Sequence, residues 1–461
     1  METPRPLARV LGLPGVLFLT LSVTTPASSV FVIVPGMFQA AGTGALLALL
    51  VAILICVATG LVYAELASAW PVAGGEYVFV AHTLGPAAGF AMLGVNLFNT
   101  LLFPPVVALG IASVASSFLP GLPMVPLAVL VLAASTVVAL LNIRVNALVT
   151  GLFLAVELIA IAVVTGLGLE HWSHAVVPML SAPMMPAHGS LVPMDMAGFG
   201  VAISVGIFAL NGAGCAVYFA EELSHAPRQI AKAVMAATLL VIVTVCVPMI
   251  AGLAAAPDLR GFLSADDPFG LFTRTLGGGR LAAWTAGGIV LAIINAIIAS
   301  ILATARIFYG TARDRCWGRP LDPWFAEIHP RLNSPWIGTL VVGAIMVAAC
   351  LIPLRFLLLL SGVGLAVIYA GIAASVLVGR YGGASRHAPY RMRFFPLPPV
   401  LTLLAVAFVV WASWQDSEQG RPALLATVAQ VVLSLAYYWL VLRRRGEWTV
   451  VVPSGESTLP E

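Results

Sequence analysis

Thr24-Thr25-Pro26-Ala27-Ser28-Ser29 sits halfway along a run that begins near Leu11 and closes at Pro35-Gly36, and that is otherwise built from Leu, Val, Phe and Ile. Pro26 has no backbone N–H, and its ring clashes with the carbonyl four residues earlier, so a helix through this stretch is predicted to break. Four hydroxyl side chains surround the break. In hydrocarbon an unpaired backbone group costs several kcal/mol, so such a break survives only where it lines a cavity inside the protein.

That the run lies in hydrocarbon follows from composition. Of 461 residues 61% are hydrophobic and 9% charged, against roughly 25% charged in a soluble domain. Mean hydropathy is +1.04. Such a chain covers itself only by facing lipid, which predicts a polytopic membrane protein and excludes soluble enzymes, nucleic-acid binders and disordered scaffolds. The five cysteines lie singly, with no CxxC pair and no disulfide framework. The first apolar stretch is long enough to span and has no cleavage-site context after it, so it reads as a retained helix.

A bilayer core of about 30 Å needs roughly 20 apolar residues per helix. Twelve such segments are placed at 11–35, 42–69, 85–118, 124–142, 146–169, 197–222, 231–256, 281–312, 336–353, 356–379, 396–415 and 421–442. Ala45 to Leu61 and Val234 to Leu253 are apolar all round, which favours helices over barrel strands and gives an all-α membrane protein. With a cytoplasmic N-terminus the inner joints hold seventeen of the 22 basic residues, among them Arg5, Arg9, Arg144, Arg228, Lys232 and Arg331. Arg260, Arg274, Arg280, Arg355 and Arg421 remain outside, which predicts both termini inside the cytoplasmic (inner) membrane. Two outer joints are long. Residues 170–196 carry His171, His174 and His188, read as a solvated loop with no metal assigned, and residues 257–280 carry Asp258, Asp266 and Asp267.

Asn211-Gly212-Ala213-Gly214 interrupts the sixth segment as Pro26 interrupts the first. Glycines lower the cost of non-helical dihedrals, so both spans are expected to split into half-helices. Exposed N–H groups then attract a carboxylate and exposed carbonyls an ammonium, which matches a zwitterion. Breaks in spans one and six are the register expected of two inverted repeats of five, covering 11–169 and 197–379, with 396–442 as two peripheral helices of one transmembrane domain.

These residues resemble the amino acid, polyamine and organocation transporter superfamily, of bacterial amino acid permease type, from about Leu11 to Leu442. Pro26-Ala27-Ser28-Ser29-Val30-Phe31 stands in the place of that family's Gly-Ser-Gly-Ile-Phe segment. Tyr63-Ala64-Glu65-Leu66 with Pro71-Val72-Ala73-Gly74-Gly75-Glu76-Tyr77 is similar to its second helix end and inner loop. Phe208 to Glu222 with Pro227-Arg228 is similar to its sixth span, and Ala312-Arg313-Asp314 with His329-Pro330-Arg331 to its loop after span eight.

The resemblance implies the fold of the sodium-coupled leucine transporter, with a small-molecule site between broken helices one and six. Thr25, Ala27, Ser28 and Ser29 would meet the substrate carboxylate, chiefly through backbone N–H groups. Carbonyls around Phe208, Ala209, Asn211, Gly212 and Gly214 would meet its amino group, and Phe208 would act as a lid. Ala27 and Ser29 replace both family glycines, which leaves a small amino acid, an amine or a polyamine open as substrate. Asn96, Asn99 and Ser361 are polar groups able to complete the pocket wall.

Glu157 lies in the middle of the fifth span, where an ionised carboxylate is expensive and marks a cavity or a proton path. By the same resemblance it stands where some proton-coupled relatives carry a lysine. It is the coupling candidate, with a proton neutralising it as helices close around it. Ser300 and Thr304 fall near a sodium site of the wider fold, although packing is the favoured account of them. Glu65 and Glu76 border the inner loop, and Glu221-Glu222 end span six opposite Arg228 and Lys232, as candidate inner-gate ion pairs.

The expectation is therefore a secondary active transporter of an amino acid or related amine, by alternating access and with a proton as coupling ion. Its partners would be that small molecule and membrane lipid, with no nucleic acid and no cofactor, and it would act as a monomer or homodimer. No enzyme chemistry is expected, since no Ser, His and Asp set converges at membrane depth. An obligate exchanger and a non-transporting membrane sensor are the alternatives.

Overall fold

The computed structural model describes residues 12–450, apart from 73, 116–120, 142, 188, 224, 320, 331–333, 416, 419, 447 and 449. Arg5, Arg9, His188 and Arg331 lie outside the described residues, as do the side chains of Arg144, Glu221, Glu222 and Arg355.

Helices dominate, because each segment is apolar around its whole circumference and satisfies its backbone internally. Among the described residues nine helical segments are long and apolar enough to cross a membrane, and two shorter apolar helices, Met124–Ala139 and Trp336–Ala349, lie between them. The first of the nine, Leu13–Ala69, contains two of the segments read from sequence, divided at Gly42 (φ 56°). The chain is an all-α, multi-pass membrane protein.

Packing relies on small residues where helices approach closely. Ala45–Ala69 lies along Ala226–Ala255, and a Cβ on Gly60 would come within 2.7 Å of the Thr238 hydroxyl. Ile143–Glu170 lies along Pro268–Arg313, which brings the fifth span beside the eighth. Hydroxyl groups within spans bond back to their own helix, as Thr20 does to the Val16 carbonyl and Thr24 to the Thr20 carbonyl, each at 2.7 Å. This removes the cost of a polar group in an apolar surround.

The long joints are more ordered than their sequence suggests. Residues 170–196 form a short helix, Val176–Ser181, and an antiparallel hairpin of Met184–Ala187 with Ser190–Pro193. The hairpin is pinned to the turn after the first span: the Met184 N–H donates to the Thr43 hydroxyl at 2.9 Å. His171 and His174 bond the carbonyls of Leu167 and Ala256. The acids of the other joint cap helices. Asp258 accepts from the Gly261 N–H at 3.0 Å and Asp267 from the Gly270 N–H at 2.9 Å, so the eighth span starts at Pro268 and kinks at Gly278. Phe262 and Phe269 pack on Phe38 and Phe31, with ring centroids 5.2 and 5.3 Å apart, closing that end over the first span.

At the opposite end of the second span, Glu65 is fully buried and takes both oxygens to Arg380, with Nε to Oε1 and Nη2 to Oε2 each 2.6 Å. The Met392 N–H adds a third donor at 2.9 Å. The sequence set Glu65 at the edge of the inner loop as a candidate for an inner-gate ion pair; tertiary packing supplies Arg380 as its partner.

Candidate functional site

Both interruptions are present. The first helix ends at Thr24, and Thr25 takes a left-handed conformation (φ 43°, ψ 81°). A new helical turn starts at Pro26, whose missing N–H costs nothing at a first helical position. Ser29–Ile33 follow in π geometry before the helix resumes at Val34. The sixth span is α-helical over Met196–Ala209, unwinds through Asn211 and Gly212 (φ 130°), and continues as a tight 3-10 helix over Ala213–Glu222. A Cβ on Gly212 would fall 2.6 Å from the Thr24 side chain, so the two breaks are in contact.

They flank a cavity of about 870 Å³, counting the part open to solvent. Of the residues singled out in sequence, Ser29, Asn96, Phe208, Asn211, Gly212 and Gly214 line it. Asn99, Ser300 and Thr304 line it too. Thr304 bonds the Ser300 carbonyl at 2.8 Å, and the Ser300 hydroxyl has no partner among the described residues. Thr25, Ala27, Ser28, Ala209 and Ser361 do not line it, although all five are buried. Ser361 reaches the wall only through its carbonyl, which accepts from Asn99 at 2.9 Å.

Thr25, Ala27 and Ser28 are instead gathered onto Glu157. The Ala27 N–H donates to Oε1 of Glu157 at 2.8 Å, and the Thr25 hydroxyl donates to the same oxygen at 3.0 Å while lying 3.0 Å from the Ser28 hydroxyl. The fifth-span carboxylate thus sits on the N-terminal end of the resumed helix, where free N–H groups favour negative charge. Its other oxygen, Oε2, is buried without a partner among the described residues.

The cavity holds one ionisable group that the sequence placed at the membrane edge. Glu76 starts the short helix Glu76–Leu84, outside the spans, after a turn in which Gly75 takes φ 60°. That turn carries the carboxylate inward. Tyr63 donates to Oε1 at 2.8 Å, Asn96 to Oε2 at 2.9 Å, and Tyr218 to the two oxygens at 3.1 and 3.0 Å. Burial raises the Glu76 carboxyl above its ordinary value, against the pull of its own backbone N–H and these three donors. Tyr63, Tyr218, Cys215 and Phe103 also line the cavity, and none was put forward from sequence as a site residue. Aromatic residues in apolar runs carry no periodic signal that separates a cavity wall from a packed core.

The family model described as amino acid permease matches residues 11–441. Among curated proteins the chain is 25% identical over 451 residues to the branched-chain amino acid permease BcaP of Bacillus subtilis, covering 89% of this chain and 90% of that one. It is 24% identical over 396 residues to the chloroplastic cationic amino acid transporter 6 of Arabidopsis thaliana, with 81% and 65% covered. It is 22% identical over 392 residues to the low-affinity putrescine importer PlaP of Escherichia coli K12, with 82% of each covered.

Proposed function

The chain belongs to the amino acid permease family, and from that premise we propose that it is a secondary active transporter moving an amino acid or a related amine across the cytoplasmic membrane by alternating access. The family and the relatives are permeases rather than enzymes, and the relatives' named cargoes include branched-chain and cationic amino acids and putrescine. The observation that carries the reading is the pair of interrupted spans in contact at one cavity, an arrangement a merely structural bundle has no reason to maintain. The proposed architecture is twelve spans, two inverted repeats of five (11–169 and 197–379) plus two peripheral helices (396–442), with both termini cytoplasmic.

Glu157 is the proposed proton site. Oε1 keeps its two donors whether or not the group is charged, and the unpartnered Oε2 is the atom that takes the proton. Purified protein in liposomes tests the reading by counterflow, in which unlabelled internal amino acid or amine drives accumulation of labelled external substrate. Accumulation above empty liposomes is expected, and its absence across amino acids, amines and polyamines would overturn the carrier assignment. Uptake into vesicles without internal substrate separates proton-coupled import from obligate exchange.

A further inference from the structure

We infer, resting on the carrier reading above, that the cavity accepts a small organic ammonium lacking a carboxylate, because Glu157 already occupies the N–H end of the broken first helix while Glu76 supplies a negative charge to the cavity. An α-amino acid brings two charges, and a site for it must answer both. The N–H of Ala27, one of those expected to meet a carboxylate, is committed to Glu157 at 2.8 Å and is buried away from the cavity. The Thr25 hydroxyl beside it is committed to the same oxygen. Glu157 thus takes up, outside the cavity, two donors that the break would otherwise offer to a carboxylate.

The remaining electrostatics favour a cation. Among the described residues lining the cavity Glu76 is the one carboxylate, and none is lysine, arginine or histidine. A carboxylate brought into this space would meet like charge with no cation to offset it, whereas an ammonium would meet opposite charge in a poorly screened site. Tyr63, Asn96 and Tyr218 all donate to Glu76, which favours the anion against the burial that favours the acid, and a cation brought into the cavity adds to their side. Phe103 and Phe208, with ring centroids 6.4 Å apart, add π faces to the same wall, a second attraction for an ammonium or its apolar body.

The test pairs each common α-amino acid with the amine left when its carboxylate is removed, for example L-valine with isobutylamine and L-ornithine with 1,4-diaminobutane. Binding to the purified full chain is measured by ligand-dependent thermal shift, then transport by counterflow. At least one amine is expected to bind ten-fold or more tightly than its parent amino acid, and Glu76→Gln, which keeps the side chain's shape, is expected to lower that affinity ten-fold or more. Parent amino acids that bind as tightly as their amines to the wild-type chain would overturn the inference while leaving the carrier reading standing, and this comparison needs no variant to fold. An amine affinity unchanged in Glu76→Gln would also overturn it. No binding by either member of any pair would overturn the carrier reading and this inference with it.

Discussion

The backbone N–H of Ala27 donates to Oε1 of Glu157 at 2.8 Å across 130 positions of sequence, so the break in the first span is closed by a carboxylate from the fifth.

Replacing Glu157 with glutamine keeps an acceptor for Ala27 and Thr25 but removes the titrating group. Uptake compared at pH 6 and pH 8 is expected to differ in the wild type and to be equal in Glu157→Gln. A variant that retains the wild-type pH response would remove Glu157 from the coupling role. Glu157→Ala, by contrast, strands the buried Ala27 N–H at a cost of about 1–3 kcal/mol, while the Thr25 hydroxyl keeps Ser28 as a partner. It should lower the melting temperature clearly below that of Glu157→Gln.

Gly212 is required by both its dihedral and its surroundings. At φ 130° an L side chain is strained, and a Cβ would press on Thr24. Gly212→Ala is expected to cost about 1–3 kcal/mol and to reduce counterflow at least ten-fold, because relief comes only by moving the two breaks apart. Normal transport by Gly212→Ala would mean that their close contact is dispensable.

Glu65 and Arg380 form a buried, doubly bonded pair, with the Arg380 side chain 17% exposed and that of Glu65 fully enclosed. Removing either partner leaves the other uncompensated, so Glu65→Ala and Arg380→Ala should each destabilise, Glu65→Ala by less than the roughly 3–5 kcal/mol of a fully enclosed pair because Arg380 can still reach water. The double variant should be less destabilised than the sum of the two. Arg380 also lies 4.4 Å from the Phe395 ring centroid, so Arg380→Ala is expected to be the worse single change. Additive losses in thermal unfolding would contradict the pairing.

Tyr77, on the short helix outside the spans, donates to Asp314 at 2.7 Å. Burial, then the Asp314 charge, hold its phenol well above the ordinary value of 10.0. The folded protein therefore keeps the proton longer than the unfolded chain, and the associated stability is intact below pH 10 and lost as pH rises beyond it. Tyr77→Phe is expected to lower stability at pH 8 by about 1–3 kcal/mol and to flatten part of the decline in melting temperature above pH 10. An unchanged alkaline slope would show that this phenol does not contribute.

Much of the fold was legible in the chain. Runs such as Val234 to Leu253, apolar on every side, can only be helices in lipid, and Pro26 and Gly212 announce their breaks because one lacks a donor and the other tolerates dihedrals that other residues resist. What eluded sequence were the joints and the partners. The Met184–Pro193 hairpin depends on Thr43, about 140 residues earlier. Asp258 and Asp267, noted from sequence only as charges of a long outer joint, cap helices, a role sequence allows but does not impose.

The site divides the same way. Sequence by itself determined that there would be interrupted spans and that Glu157 was too costly in hydrocarbon to lack a purpose, since both follow from local chemistry and the solvent the chain must face. Only the tertiary structure decided that Ala27 meets Glu157 rather than the cavity, and that Glu76, one residue after a glycine turn at the edge of a span, points inward to Tyr63, Asn96 and Tyr218. Those contacts join residues 13 to 142 positions apart, and their energies depend on which helix faces lie together, a quantity no local pattern encodes.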